Sequence, residues 1–126
     1  MAPLIVADAS VLIGWLDDRD PHHQEAIDVL AAVERFIVHP LTLAEVLVHP
    51  ARTGREGEVV SSLEAIGMVL STQPMDPVGL ARLRVASRLK MPDCVVLWCA
   101  RAHGADVATF DDALRSAAAV DARDGR

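Results

Sequence analysis

The chain has 126 residues, 52% of them hydrophobic, which is enough for one domain with a real core and excludes a disordered protein. No uncharged apolar run is long enough to cross a bilayer, and the N-terminus lacks signal-peptide features, so we expect a soluble cytoplasmic protein. The net charge of −6 argues against a protein that holds nucleic acid by charge alone.

The first half of the chain alternates predicted strands and helices. Residues 4–7 form an apolar run typical of a buried strand in a parallel sheet, and a helix over residues 9–16 follows. Asp8 or Ser10 can cap that helix. A second helix after Pro21, a strand over residues 36–38 and a helix over residues 42–48 come next.

The second half continues the alternation of helices and strands. Helix-capping residues, glycines and apolar runs indicate the bounds of each element. The predicted elements are a helix over 59–66, a strand over 68–70, a helix over 77–89, a buried helix from 92 to about 103, a strand over 107–108 and a short helix over 112–115, capped by Asp112. We expect the tail after about residue 117 to fray. Together these elements predict an α/β fold with a parallel sheet in a single domain over residues 1–126.

Four acidic residues can approach one crevice at the carboxyl ends of the predicted strands. Asp8 ends the first strand, Glu45 lies on the helix after the second, Asp93 opens the buried helix, and Asp111 follows the last strand. Ligands bind at that edge of an open α/β sheet, so we expect the four side chains to converge there. Two charges about 4 Å apart repel by about 4 kcal/mol, and a divalent cation with oxygen ligands, Mg²⁺ or Mn²⁺, would relieve that repulsion.

Local interpretations compete with this one. Asp8 and Asp93 are also suited to cap the helices that follow them. Thr42 and Glu45 fit a capping box, with Thr42 as the N-cap and Glu45 three residues later. Asp111 and Asp112 compete for the position after the last strand.

Four sequence motifs carry a family resemblance. The segments DASVL at Asp8, TLAEV at Thr42, MPDCVVLWCA at Met91 and ATFDDAL at Ala108 together resemble a PIN domain, and more narrowly the VapC toxins of toxin–antitoxin pairs. The resemblance implies a three-layer α/β/α sandwich with a short, twisted parallel sheet of four to five strands. It implies a metal-dependent endoribonuclease that hydrolyses RNA phosphodiesters.

The resemblance also implies roles for the residues. Asp8, Glu45, Asp93 and Asp111 match the acidic quartet of the family; of these, Asp8, Asp93 and Asp111 would hold Mg²⁺ or Mn²⁺, and Glu45 would orient the attacking water or a second ion. Three further residues would support the quartet, namely Ser10, Thr109 and Asp112.

The partners implied are an RNA substrate, a cognate antitoxin, and a second copy of the chain in a homodimer. Contact with DNA would come only through the antitoxin, and no membrane is involved. Arg84 and Arg88, which share a face of the predicted helix over 77–89, are candidates for contacting RNA phosphates.

Two other functions compete with the nuclease. The DASVL segment is similar to the strand-end motif of haloacid-dehalogenase-like phosphotransferases, but Ser10 cannot act as the general acid that those enzymes place there. A non-catalytic PIN scaffold that only binds partners is the second alternative. A receiver domain is a poorer match, because Asp8 has no acidic neighbour and no lysine follows Lys90.

Overall fold

Residues 3–124 are described by the computed structural model, which shows a four-stranded parallel sheet flanked by helices. The order of the strands across the sheet is β3-β2-β1-β4. The elements are β1 (Ile5–Ala7), α1 (Ala9–Leu16), α2 (His23–Ala31), β2 (Phe36–Val38), α3 (Pro40–Ala51), α4 (Glu56–Ala65), β3 (Met68–Leu70), α5 (Pro77–Ser87), α6 (Met91–His103), β4 (Asp106–Ala108) and α7 (Asp112–Arg123).

The central strand β1 is buried on both faces, which explains why its sequence is continuously apolar. Ile5 and Ala7 belong to one hydrophobic cluster, which is completed by α1, α2, α3 and α4. Val6 points to the other cluster, which is built mainly from α5, α6 and α7. The predicted α/β class with a parallel sheet of four to five strands is therefore confirmed.

The helix α3 begins earlier than predicted, because its cap is a histidine. The Nδ1 atom of His39 accepts a hydrogen bond from the backbone N–H of Leu41 at 3.1 Å, and Pro40 follows in the first turn. Burial lowers the pKa of His39, which favours the neutral ring that this bond needs. Thr42 therefore lies inside the helix, which excludes the alternative interpretation of Thr42 and Glu45 as a capping box.

The helix α6 is the most buried helix of the second cluster. Its residues Cys94 to Leu97 are all buried, and the helix ends at Gly104, whose left-handed φ of 61° suits glycine. Its apolar character is that of a core helix, and no helix between residues 3 and 124 is long and apolar enough to span a membrane.

The last helix is longer than predicted. We expected a short helix over 112–115 and a frayed tail after about 117, but α7 continues to Arg123. Its cap is Asp111 rather than Asp112, since Asp111 Oδ1 accepts from the N–H of Leu114. A two-bond ion pair between Arg101 and the buried Asp121 secures its far end. Residues 125–126 of the predicted tail lie outside the described residues.

The predicted shared face of Arg84 and Arg88 is also wrong. The helix α5 ends at Ser87, and Arg88 has a left-handed φ of 63°. This turn removes Arg88 from the row of side chains four residues apart on which Arg84 lies.

Candidate active site

Four carboxylates from four distant segments line one cleft of about 120 Å³ at the carboxyl-end edge of the sheet. Asp8 comes from the end of β1, Glu45 from α3, Asp93 from the first turn of α6, and Asp111 from the loop after β4. Because the strands are parallel, the segments that follow them meet at the same edge. The structure thus brings together the four acids that the sequence singled out.

Asp8 is held in place by hydrogen bonds to both of its carboxylate oxygens. Its Oδ1 accepts from the Ser10 hydroxyl at 2.7 Å and from the N–H of Val11 at 3.1 Å. Its Oδ2 accepts from the Thr109 hydroxyl at 2.5 Å. The side chain is only 5% exposed, yet its partners are neutral donors, so its negative charge is oriented but not cancelled.

The Thr109 hydroxyl joins the first acid to the last. It donates to Asp8 Oδ2 and accepts from the backbone N–H of Asp111 at 2.9 Å. The Ser10 hydroxyl forms a second link, because it accepts from the N–H of Phe110 at 3.0 Å. Two hydroxyls therefore fix the loop after β4 against the end of β1.

Asp93 shows the electrostatic effect of the crowding. Burial raises the pKa of its carboxyl, and the negative charges of Asp111, Asp8 and Glu45 raise it further, while Lys90 acts in the opposite direction. A raised pKa beside other acids means that the ionised form of Asp93 is disfavoured as the cleft stands.

Glu45 and Thr42 form the α3 wall of the cleft. Glu45 is exposed and its carboxylate is not tied to a helix cap, because His39 caps α3. Thr42, one helical turn earlier, lines the cleft beside it and is buried. From the sequence, Thr42 is a candidate cap and the first residue of the TLAEV motif; its spacing of three residues from Glu45 is the signal for a shared face.

Three other predicted residues lie apart from the cleft lining. Asp112 has a fully exposed side chain, 4.0 Å from the Arg115 guanidinium, so Asp111 is the residue of this pair that faces the cleft. Arg84 and Arg88 are exposed on and after α5, and neither lines the cleft.

Comparison with protein families agrees with this architecture. A model of the PIN domain matches residues 5–120. The chain belongs to the PIN domain family. Membership indicates nuclease activity, and PIN domains usually use divalent metal ions. A search of curated proteins finds no relative of this PIN domain.

A solved structure supports the fold of this PIN domain. The crystal structure of PAE2754 from Pyrobaculum aerophilum superposes with a TM-score of 0.60. The match covers 90% of this chain and 84% of that one, at 22% sequence identity. At that identity the likeness concerns the fold alone.

The donor chemistry of the cleft fits a hard divalent cation, since carboxylate oxygens are the ligands that Mg²⁺ and Mn²⁺ prefer. However, no three His, Cys, Asp or Glu side chains among residues 3–124 are close enough together to hold one ion as they stand. Mutual repulsion of uncompensated carboxylates favours such separation. The metal-binding roles of Asp8, Asp93 and Asp111 therefore stay predictions.

Proposed function

We propose that this PIN domain is a metal-dependent endoribonuclease that uses Asp8, Glu45, Asp93 and Asp111. The observation that carries the proposal is the cleft itself, where four carboxylates from four segments meet and the charge of Lys90 acts on Asp93. Folding such a cluster without a cation costs free energy in a marginally stable domain. Metal-dependent nuclease activity is a function that requires such a cluster of carboxylates and so explains why the cost is tolerated.

Each residue has a separate task in the proposed hydrolysis. Asp8, Asp93 and Asp111 would hold Mg²⁺ or Mn²⁺, which supplies an activated water and stabilises charge on the phosphate. The hydroxyls of Ser10 and Thr109 keep the Asp8 carboxylate in one orientation. Glu45, which is exposed at the mouth of the cleft, would orient the attacking water or a second ion.

The test is cleavage of RNA by the purified protein in Mn²⁺, in Mg²⁺ and in EDTA. Asp8→Asn and Asp93→Asn keep the size of each side chain and remove its charge, so we expect both to abolish a metal-dependent cleavage. Glu64→Gln is the matched control, because Glu64 is an exposed acid on α4 outside the cleft. Equal cleavage by wild type and both aspartate variants would contradict the proposal. A wild-type protein that binds RNA and cleaves none would favour the non-catalytic scaffold.

We further propose that the protein is a VapC-type toxin with a cognate antitoxin, and that it forms a homodimer. The support is the resemblance of the four motifs and the negative cleft, which suits a basic partner segment. A basic peptide from the adjacent open reading frame should bind wild type and inhibit cleavage. Equal binding to the Asp8→Asn, Asp93→Asn double variant would contradict this partner. Sedimentation analysis tests the homodimer.

The phosphotransferase alternative loses support from the contacts of Ser10. Its hydroxyl donates to Asp8 and accepts from the N–H of Phe110, so it is committed to holding the loop after β4. Trapping of a beryllofluoride adduct on Asp8 would be the result that favours this alternative.

A further inference from the structure

A second cavity of about 200 Å³ opens directly beside the acid cleft. It lies between the first turns of α3 and α6, and its lining is mostly apolar. Three of its lining residues, Thr42, Glu45 and Pro92, also line the acid cleft, so the two cavities share a wall. We call it the Leu41–Met91 groove; its lining residues are Leu41, Thr42, Glu45, Met91, Pro92 and Val95.

The walls of the groove expose large apolar side chains to solvent. Leu41, on α3, is 54% exposed and Met91, on α6, is 44% exposed. Leu41 is the second residue of α3 and Met91 is the first residue of α6. The backbone at each position is therefore held by the helix that it begins. The groove is thus an apolar cavity that is present before any ligand binds.

The shared wall contains a buried threonine. Thr42 is 4% exposed and lines both cavities. A threonine hydroxyl can both donate and accept a hydrogen bond, so it offers a polar contact to a ligand that enters the groove.

We propose that the Leu41–Met91 groove takes one unstacked nucleobase of the RNA, from a nucleotide next to the phosphate held in the acid cleft. The inference rests on the proposed nuclease function and adds to it a base-binding subsite. Single-stranded RNA is recognised through bases that are splayed out of the stack and sandwiched between side chains. Leu41 and Met91 contact the faces of the base, and Thr42 hydrogen-bonds its polar edge.

The arrangement of the two cavities favours a nucleotide over a protein partner. In a nucleotide an apolar ring with polar edges lies beside the phosphate, and the groove lies beside the cleft where the metal of the proposed function would bind that phosphate. A stable dimer buries about 800 Å² on each partner, whereas this groove is bounded by six residues. A single planar ring is the occupant of matching size.

The ε-methyl groups of methionine provide the test. The chain has four methionines, and Met91 is the one in the groove. We would titrate ¹³C-methyl-labelled protein in EDTA with a tetranucleotide whose phosphates are replaced by neutral methylphosphonates. The probe needs no metal and cannot be cleaved as RNA, so its binding is read independently of hydrolysis. The same backbone without bases is the matched probe.

We expect a saturable shift of the Met91 methyl signal with the base-containing probe and none with the abasic probe. The signal of Met75, which is 40% exposed and outside the groove, should stay in place. Leu41→Ala should weaken binding about fivefold, by the size of a partial stacking loss. Val85→Ala, which truncates a 79% exposed side chain on α5, should leave binding unchanged.

Three results would overturn the inference. The first is no shift of Met91, or an equal shift with the abasic probe. The second is equal binding by Leu41→Ala and wild type. The third is a Met91 signal that changes with protein concentration alone, which would show that a second copy covers the groove. Loss of cleavage in Asp93→Asn is measured separately, so a failed groove and a failed nuclease give different results.

Discussion

Asp8 and Asp121 are both more than nine-tenths buried, but the protein compensates their charges in opposite ways. Asp121 accepts two hydrogen bonds from Arg101, at 2.6 and 2.7 Å, which cancel its charge. Asp8 has two hydroxyls and a backbone N–H as partners, and none of these carries a charge. The Arg101–Asp121 pair is a charge-compensated structural contact, whereas the partners of Asp8 orient its negative charge without compensating it.

The surroundings of the two aspartates extend the contrast. Three further carboxylates face the cleft beside Asp8, while a larger cavity of about 210 Å³ lies beside the Arg101–Asp121 pair. The hydrogen bond to Asp121 raises the pKa of Arg101, as expected of a satisfied pair. The candidate active site is therefore identified by its uncompensated carboxylates, not by the size of its cavity.

The largest expected effect comes from breaking the compensated pair. Arg101→Met leaves Asp121 buried without a counter-charge, so we expect the free energy of unfolding to fall by about 2–3 kcal/mol. Urea denaturation measures the loss. Arg101→Met with Asp121→Leu removes both charges and should recover most of it. A single variant as stable as wild type would show that α7 does not depend on the pair.

The link between the first and last acids can be broken at Thr109. Thr109→Val keeps the shape of the side chain but removes the donor to Asp8 and the acceptor for the N–H of Asp111. We expect a loss of about 1–2 kcal/mol in stability and at least about a tenfold loss of RNA cleavage. Thr109→Ser keeps the hydroxyl and should retain most of both. If valine is tolerated in cleavage, the hydroxyl does not position Asp8.

The neighbouring acids Asp111 and Asp112 allow a matched comparison. Asp111→Ala removes the cap of α7 and should cost about 1 kcal/mol, together with a loss of RNA cleavage. Asp112→Ala should leave the urea midpoint unchanged, because its side chain is fully exposed. An equal effect of the two substitutions on stability would contradict the assignment of Asp111 as the cap.

The smallest expected effect is a gain in stability from Asp93→Asn in metal-free buffer. The raised pKa means that the folded state holds the Asp93 proton more tightly than the unfolded state. Stability therefore falls as pH rises from the unfolded pKa through the folded pKa, and the penalty is fully present above the folded pKa. Removing the charge should add at most about 1 kcal/mol, since Asp93 is partly solvated.

Thermal melts in EDTA against pH check this prediction. The difference between Asp93→Asn and wild type should vanish as pH falls below about 4, where the carboxyl is protonated in both states. Added Mn²⁺ should stabilise wild type more than the variant if Asp93 binds the ion. If Asp93→Asn were less stable than wild type at neutral pH, the charge of Asp93 would not destabilise the folded protein, and the prediction would be contradicted.

Much of the fold could be predicted from the sequence because its signals are local. The bounds of α1 and β3 follow from short apolar runs and from caps within a few residues. The predictions that the structure corrects depend on uncommon residue choices or on contacts that are distant in the sequence. A histidine caps α3, Arg88 adopts a left-handed turn without glycine, and the partner that secures the end of α7 lies 20 residues earlier.

Some features of the candidate site could likewise be predicted from the sequence, and others could not. The positions of Asp8 and Asp111 after strands, and of Glu45 and Asp93 on helices, were enough to predict that the four acids line one cleft. The hydrogen bond from Thr109 to Asp8 spans 101 residues, so no local pattern shows its geometry. The place of Thr42 in the lining of the cleft was hidden by a capping pattern, which the His39 cap of α3 excludes.

The position of β1 between β2 and β4 has a consequence for synthesis of the protein on the ribosome. Asp8, Glu45 and Asp93 all emerge before β4, the strand that pairs with the open side of β1. Until Thr109 has emerged, Asp8 lacks the hydroxyl that orients its Oδ2, and Asp111 is absent. A nascent chain therefore cannot complete the acid cleft before β4 and the loop that follows it have emerged.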